Sequence, residues 1–253
     1  MASLGGPGVL RVGRVGLGPV AYSRIGRDPG GVLLDAGVGL VTSGLQALWM
    51  PALDYYPGIT AQTVPDRSGN GNTLQLGSTP GVDVNDPSWS QQGLVSNSSG
   101  SQYAKTPSAI PQVDNITLGA VAMYVGGGGP IFIYNGDPSA NGLGIYVNTS
   151  NEHAQALYGG VAFEDSGVVL APATWSDLAL VRSGTAQFYR NATLFGSAIT
   201  GTPNAVTGGM QVGEQSTTIA AGYAYNRALS VGELTRVHRW LRSQLAPSGI
   251  TLP

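Results

Sequence analysis

Hydrolysis of a sugar bond needs two carboxyl groups about 5–9.5 Å apart, one to donate a proton and one to attack or to activate water. Acidic residues at alternate positions of one strand share a face and could supply such a pair. The 253 residues contain no such run. The glutamates Glu152, Glu164, Glu214 and Glu233 are scattered, and the neighbours Glu164 and Asp165 must point to opposite faces of any strand that carries them. Histidine adds little. His153 follows Ser150-Asn151-Glu152 and reads as a loop residue; His238, among Arg236, Arg239 and Arg242, reads as a solvated or helix-terminal one. There is no G-x-S-x-G elbow and no H-E-x-x-H pair. Cysteine is absent, which removes disulfides and thiolate metal sites. No catalytic residue, cofactor or metal is therefore assigned, and the chain is read as non-enzymatic.

Two groups of residues could bind rather than react. The run Asp66-Arg67-Ser68-Gly69-Asn70-Gly71-Asn72 offers carboxylate, hydroxyl and amide oxygens of the kind a hard cation or a sugar takes. Its structural alternative is an Asx-rich turn between two strands, favoured by the lack of a second acidic cluster. Tyr55, Tyr56, Trp89, Tyr103, Tyr134, Tyr146 and Tyr158 could stack on sugar rings, or could be core and strand-surface residues.

The elements that must position these groups are short strands. Leu178–Val181, Ala186–Tyr189 and Thr193–Phe195 are apolar runs separated by Ser183-Gly184 and by Arg190-Asn191-Ala192, the pattern of an antiparallel meander. Upstream, Leu45–Trp49, Ile116–Val125, Pro130–Tyr134, Gly142–Val147, Gln155–Tyr158 and Val168–Leu170 read as strands, and the tetraglycine 126–129 reads as a hairpin tip. One helix stands out. Ser230 and Glu233 form a capping box, and Val231, Leu234, Val237, Leu241 and Leu245 follow at helical spacing, predicting a helix over 230–245. Leu234, Val237 and Leu241 should face the sandwich and the three arginines should face outward.

Trp175, the strands LALVR (178–182) and FYRN (188–191), and the hexapeptide YNRALS (225–230) before a capped helix together resemble the closing half of a LamG-like jelly roll of the concanavalin A-like lectin/glucanase superfamily. The loop 66–72 resembles that family's D-x-S-G-N-G-N loop, and Gln92–Pro107 and Ile116–Val125 resemble its next strands. The resemblance spans about 45–245 and implies an all-β fold: a two-sheet antiparallel jelly-roll sandwich with a C-terminal helix. The family's acidic pair before YNRALS is replaced by Ala220 and Ala221, which removes two ligand positions that the resemblance would otherwise imply.

Composition narrows the partners. Charged residues make up 10% of the chain, against ~25% in average proteins, and the net charge is −2. Clustered Lys and Arg for a phosphate backbone are missing; Lys105 is the single lysine, so nucleic acid is not expected as a partner. No apolar run approaches a membrane span of ~20 residues. The opening residues lack the basic and hydrophobic regions of a signal peptide, and the sequons at Asn97, Asn115, Asn148 and Asn191 carry little weight without export.

Residues 1–44 read as an extended docking arm preceding the jelly-roll domain of 45–253. Gly, Val and Leu alternate without helical period, Pro7, Pro19 and Pro29 break the run, and Arg11, Arg14, Arg24 and Arg27 punctuate it as partner-docking residues. Val9, Leu10, Val12, Val15 and Leu17 call for a covering surface. The combination implies a bacteriophage virion structural protein. It would be made in the host cytoplasm, anchored by its arm to capsid or tail subunits, oligomeric in the particle, and able to touch host surface glycans. A carbohydrate-binding module of a bacterial surface or secreted protein is the alternative, and a divergent glycoside hydrolase ranks last.

Overall fold

The computed structural model describes residues 39–97, 102–127 and 129–253. The expected docking residues Arg11, Arg14, Arg24 and Arg27 lie outside them. The described residues form two antiparallel eight-stranded sheets packed face to face, with one long helix on the outer face of the first.

The first sheet runs, edge to edge, through Thr193–Ile199, Thr185–Arg190, Ser176–Ser183, Ile116–Tyr124, Thr217–Tyr225, Gly93–Ser96 and Ser88–Ser90. Leu45–Trp49 completes it, pairing with the second half of Thr217–Tyr225 while Gly93–Ser96 pairs with the first. The second sheet runs through Ala162–Val169, His153–Tyr158, Asn141–Asn148, Ile131–Asp137, Met210–Glu214, Ala104–Lys105, Leu74–Leu76 and Thr63–Val64. The meander of the closing half is as expected. Gly184, at φ 76°, makes its first turn, while Asn191 and Ala192, at φ 50° and 62°, make its second, with the two positive φ angles of a type I′ hairpin.

The tetraglycine is not a hairpin tip. Ile116–Tyr124 lies in the first sheet and Ile131–Asp137 in the second, so the link between them passes from one sheet to the other. Gly126 and Gly127 both have positive φ, a conformation that side chains disfavour. One other strand is longer than its apolar core suggests. Ala162–Val169 starts six residues ahead of the apolar Val168, because Phe163-Glu164-Asp165 lies on an edge strand with one face open.

Apolar side chains fill two layers. Between the sheets lie Trp49, Leu94, Leu118, Phe132, Ile145, Leu178, Phe188 and Ile219 with their neighbours. Between the first sheet and the helix lie Leu48, Val121, Ala221, Tyr223, Tyr225, Leu234, Val237, Trp240, Leu241 and Leu245. Strands buried on both faces read as continuous apolar runs instead of alternating ones, which is why Ile116–Tyr124 and Thr217–Tyr225 look the way they do. Leu40 and Val41, ahead of the expected domain start at 45, are also buried in this helix-side layer.

The helix Val231–Leu245 begins as its sequence predicts. Ser230 Oγ accepts from Glu233 N, and Ser230 N donates to Glu233 Oε2 at 2.9 Å, closing the capping box. Arg227, in the YNRALS segment, grips the same carboxylate, with Nη2–Oε1 at 2.6 Å and Nη1–Oε2 at 3.0 Å. That hydrogen-bonded arginine, with help from Ser230, outweighs partial burial and holds the Glu233 carboxyl down at about 2. Leu234, Val237 and Leu241 are buried, and Arg236, Arg239 and Arg242 are exposed. Leu241→Ala should therefore cost about 2–5 kcal/mol in denaturant unfolding, whereas Arg239→Ala should stay within about 0.5 kcal/mol.

Candidate functional site

Among the described residues, the outer face of the second sheet is the large surface that no helix covers. Cross-strand registers order its outward residues. One row runs Thr63, Gln75, Lys105, Gln211, Tyr134; another runs Glu214, Ile131, Tyr146, Gln155, Asp165. Tyr146 and Phe163 meet edge to face at 4.8 Å, and Phe163 is 58% exposed. At the other end, Thr63, Thr73, Gln75, Tyr103, Lys105 and Thr106 line a groove of about 500 Å³.

The expected sugar-stacking aromatics divide accordingly. Tyr103 lines the groove and Tyr146 sits half-buried on the same face. Tyr134 and Tyr158 are buried: the Tyr134 hydroxyl donates to Asn141 O and accepts from Gly159 N, while Tyr158 lies beneath Arg182. Trp89 packs against the inter-sheet core and donates from Nε1 to Ala61 O at 2.8 Å. Tyr55 lines a second hollow beside Ala52, Leu53 and Pro247, and Tyr56 is exposed.

The carboxylates on this face are far apart. Burial raises the Glu214 carboxyl, while hydrogen bonds from Gln211 and Gln215 partly offset that rise. Asp165 lies four strands away, roughly 19 Å at ~4.8 Å per strand, beyond the spacing of either glycosidase geometry. His153 is not in a loop. It opens the strand His153–Tyr158, and its Nδ1 lies 2.8 Å from Asp165 Oδ2 across the sheet. Glu164 turns the other way, toward Gly201 and Tyr158.

The 66–72 loop uses its own oxygens. Asp66 Oδ1 accepts from Leu48 N and Ser68 N, and Oδ2 accepts from Ser68 Oγ and Asn72 N, all at 2.8–3.1 Å. Asn70 and Asn72 donate to Leu45 O and Gln46 O, which ties the loop to the strand Leu45–Trp49. The carboxylate is saturated by protein donors, so the structure supports the Asx-rich turn. Among the described residues no group of three His, Cys, Asp or Glu side chains could hold a metal ion.

Sequence reasoning missed a buried polar cluster beneath the helix. His238 is not solvated; it is 6% exposed. Its Nδ1 lies 3.0 Å from Asp177 Oδ2 and its Nε2 lies 3.0 Å from Pro253 O. Tyr223 donates its hydroxyl to Asp177 Oδ1 at 2.9 Å. Neutral imidazole can donate from one nitrogen only, so two acceptors facing His238 call for the charged ring. Burial alone would lower its pKa, but the Asp177 carboxylate and the Pro253 carbonyl outweigh both burial and nearby Arg242, and the net shift is upward. Arg182 is a second buried cation. From the first sheet it reaches Asp114 at 2.7 Å, Gly201 O at 2.9 Å and the Tyr158 hydroxyl at 3.3 Å, clamping one sheet to the other.

With this geometry in hand, the architecture can be compared with known folds. No family model and no curated protein matches the sequence. Solved structures do match the fold. Trypanosoma rangeli sialidase superposes with a TM-score of 0.60 at 16% identity over 82% of this chain and 34% of that one. The fold is a two-sheet antiparallel jelly-roll β-sandwich. The binding domain of botulinum neurotoxin serotype D gives a TM-score of 0.56 at 11% identity over 80% of this chain and 53% of its own. The jelly roll thus spans about a third of the sialidase chain and about half of the neurotoxin binding domain.

The clamp at His238 predicts a pH dependence. A group whose folded pKa is raised contributes its stability fully below its unfolded value of 6.5 and loses it as pH rises through the folded one. His238→Gln should therefore lower Tm most at pH about 6, and the gap to the wild type should narrow toward pH about 9. Paired thermal melts across that range check it.

Proposed function

We propose that this chain is a non-enzymatic bacteriophage virion structural protein that displays a lectin-like jelly roll, anchored through residues 1–44 to other virion proteins and presenting its uncovered sheet to host surface glycans. The observation that carries the reading is the polarity of the sandwich. Gly39 to Gly44 enter on the helix side: Val41 O accepts from the Tyr225 hydroxyl at 2.7 Å, and Ser43 O accepts from Arg227 Nε at 2.8 Å. The open face of the second sheet lies on the other side of the molecule. A chain anchored where it enters would hold that face outward. The exposed Arg236, Arg239 and Arg242 add a cationic surface on the anchoring side.

The non-enzymatic part of the reading is supported by the Glu214–Asp165 separation and by the saturation of Asp66. Head decoration, spike and tail component all suit such a domain. The groove beside Lys105 favours a second reading, a carbohydrate-binding module of a bacterial surface or secreted protein, and one matching sialidase structure is a complex with sialic acid.

The decisive experiment is truncation. Removing residues 1–36 leaves Leu40 and Val41 in place, so the sandwich should remain folded and soluble while losing incorporation into the particle. Incorporation of the truncated chain at the wild-type level would defeat the anchoring claim, and its unfolding would make the segment part of the sandwich.

A further inference from the structure

We infer that the groove beside Lys105 takes an acidic sugar, with the anionic group on the Lys105 ammonium and the ring hydroxyls on the surrounding threonines and Tyr103. This deepens the glycan-contacting part of the proposed function and rests on it.

Lys105 carries a charge that no ion pair neutralises among the described residues. Lys105 sits in the two-residue strand Ala104–Lys105, which is paired on both sides, with Gln75 across one ladder and Gln211 across the other. The backbone is thus fixed, and both cross-strand neighbours are neutral amides. Among the described residues Lys105 makes no ion pair and no side-chain hydrogen bond. Its field reaches as far as Asp137, whose carboxyl it helps to lower after the Ser139 hydrogen bonds, without forming a pair.

The walls of the groove supply the rest of the specificity. The side chains of Thr63, Thr73 and Tyr103 carry no hydrogen bond among the described residues, so two alcohols and a phenol keep their full donor and acceptor capacity. Gln75, by contrast, is pinned: its Nε2 donates to Gln62 O, Leu76 O and Thr79 O. Thr106 Oγ1 accepts from Met210 N at 2.8 Å and donates to Ser108 O at 2.6 Å, which fixes the residue after the lysine. A volume of about 500 Å³ lies within the range of small-molecule sites. Free hydroxyls, one aromatic ring and one ammonium without an ion pair fit a polyhydroxylated anion. An apolar ligand would leave the ammonium and hydroxyls unmatched, and a neutral sugar would leave the ammonium so.

The test uses the full chain and named probes: N-acetylneuraminic acid, glucuronic acid and glucose 6-phosphate as the acidic arm, glucose and N-acetylglucosamine as the neutral one. Calorimetry and NMR shifts of Tyr103 should report binding of acidic probes, weakening with salt and favouring carboxylate or phosphate according to which arm responds. Lys105→Met should weaken acidic binding on the order of tenfold or more, Lys105→Arg should retain most of it, and both should melt as the wild type does. Equal binding of neutral and acidic probes would overturn the inference, as would no binding of any acidic probe, or full binding by Lys105→Met. Particle incorporation is scored separately. A chain that assembles but binds no acidic probe refutes the groove while leaving the display reading intact; one that binds through Lys105 but does not assemble supports the groove and refutes the virion role.

Discussion

The strand Thr217–Tyr225 is buried on both faces along its whole length, and the architecture follows from how that burial is achieved. One face meets the second sheet and the other meets the helix, so neither can carry an unpaired charge. A register shift between Ile219 and Ala221 turns both Ala220 and Ala221 toward the helix. The two alanines thus stand where the resembling family carries acids, in a layer where acids would be stranded without water. Small residues then let large ones approach. Tyr223 lies over Gly119, where a β-carbon would come within 2.1 Å of the ring. The Tyr223 hydroxyl, forced inward, needs a partner and finds Asp177; Asp177 in turn needs a cation and finds His238 on the helix. One packing decision in the sheet propagates through three side chains to the element that covers it.

This burial also restricts where binding can occur. The helix, the segment after it and Gly39 to Val41 occupy the outer face of the first sheet, and the inter-sheet layer is closed by apolar side chains and by the Arg182 clamp. The outer face of the second sheet remains. Its inward residues are apolar, while its outward residues change character along the sheet. At the 63–107 end they are threonine, glutamine and lysine; in the middle they are tyrosine, isoleucine and leucine, drawn together as a small cluster of Ile131, Tyr134 and Leu157 under Tyr146. The polar end is the part with unspent hydrogen-bonding capacity.

What the sequence revealed was local. The capping box, the meander turns at Gly184 and Asn191-Ala192, and the apolar helix stripe all depend on residues within four positions of one another, and each stands where its pattern places it except Val231, which begins the stripe and is exposed. The 66–72 loop was legible as a turn because Asp66 bonds within the loop; its ties to Leu45, Gln46 and Leu48, 18 to 26 positions back, were not. The Asp177–His238 pair spans 61 positions and the Arg182–Asp114 pair 68, and nothing in periodicity announces such distant partners. His238 looked solvated because three arginines flank it in sequence; Arg236 and Arg239 occupy other faces of the helix, and Arg242, one turn on, stays exposed while the imidazole is drawn inward to Asp177. The tetraglycine looked like a hairpin because composition identifies a turn without saying which sheet the chain enters next. The groove is built from two- and three-residue strands whose threonines and glutamine have no pattern at all.

A chain with few charges makes each unpaired one informative. Arg67 pairs with Asp54, Arg182 with Asp114, Arg227 with Glu233, His153 with Asp165 and His238 with Asp177. These pairs are internal, and at least two of them, at Arg182 and His238, are buried deeply enough that separating the partners would leave a charge without water. Lys105 on one side, and Arg236, Arg239 and Arg242 on the other, have no such partner among the described residues. The helix arginines are exposed, where water solvates a charge without a partner. Lys105 is half-buried on a fixed strand between two neutral amides, with Asp137 near enough to feel its field but not to pair with it. That difference makes the groove the part of the surface where an incoming anion would gain most.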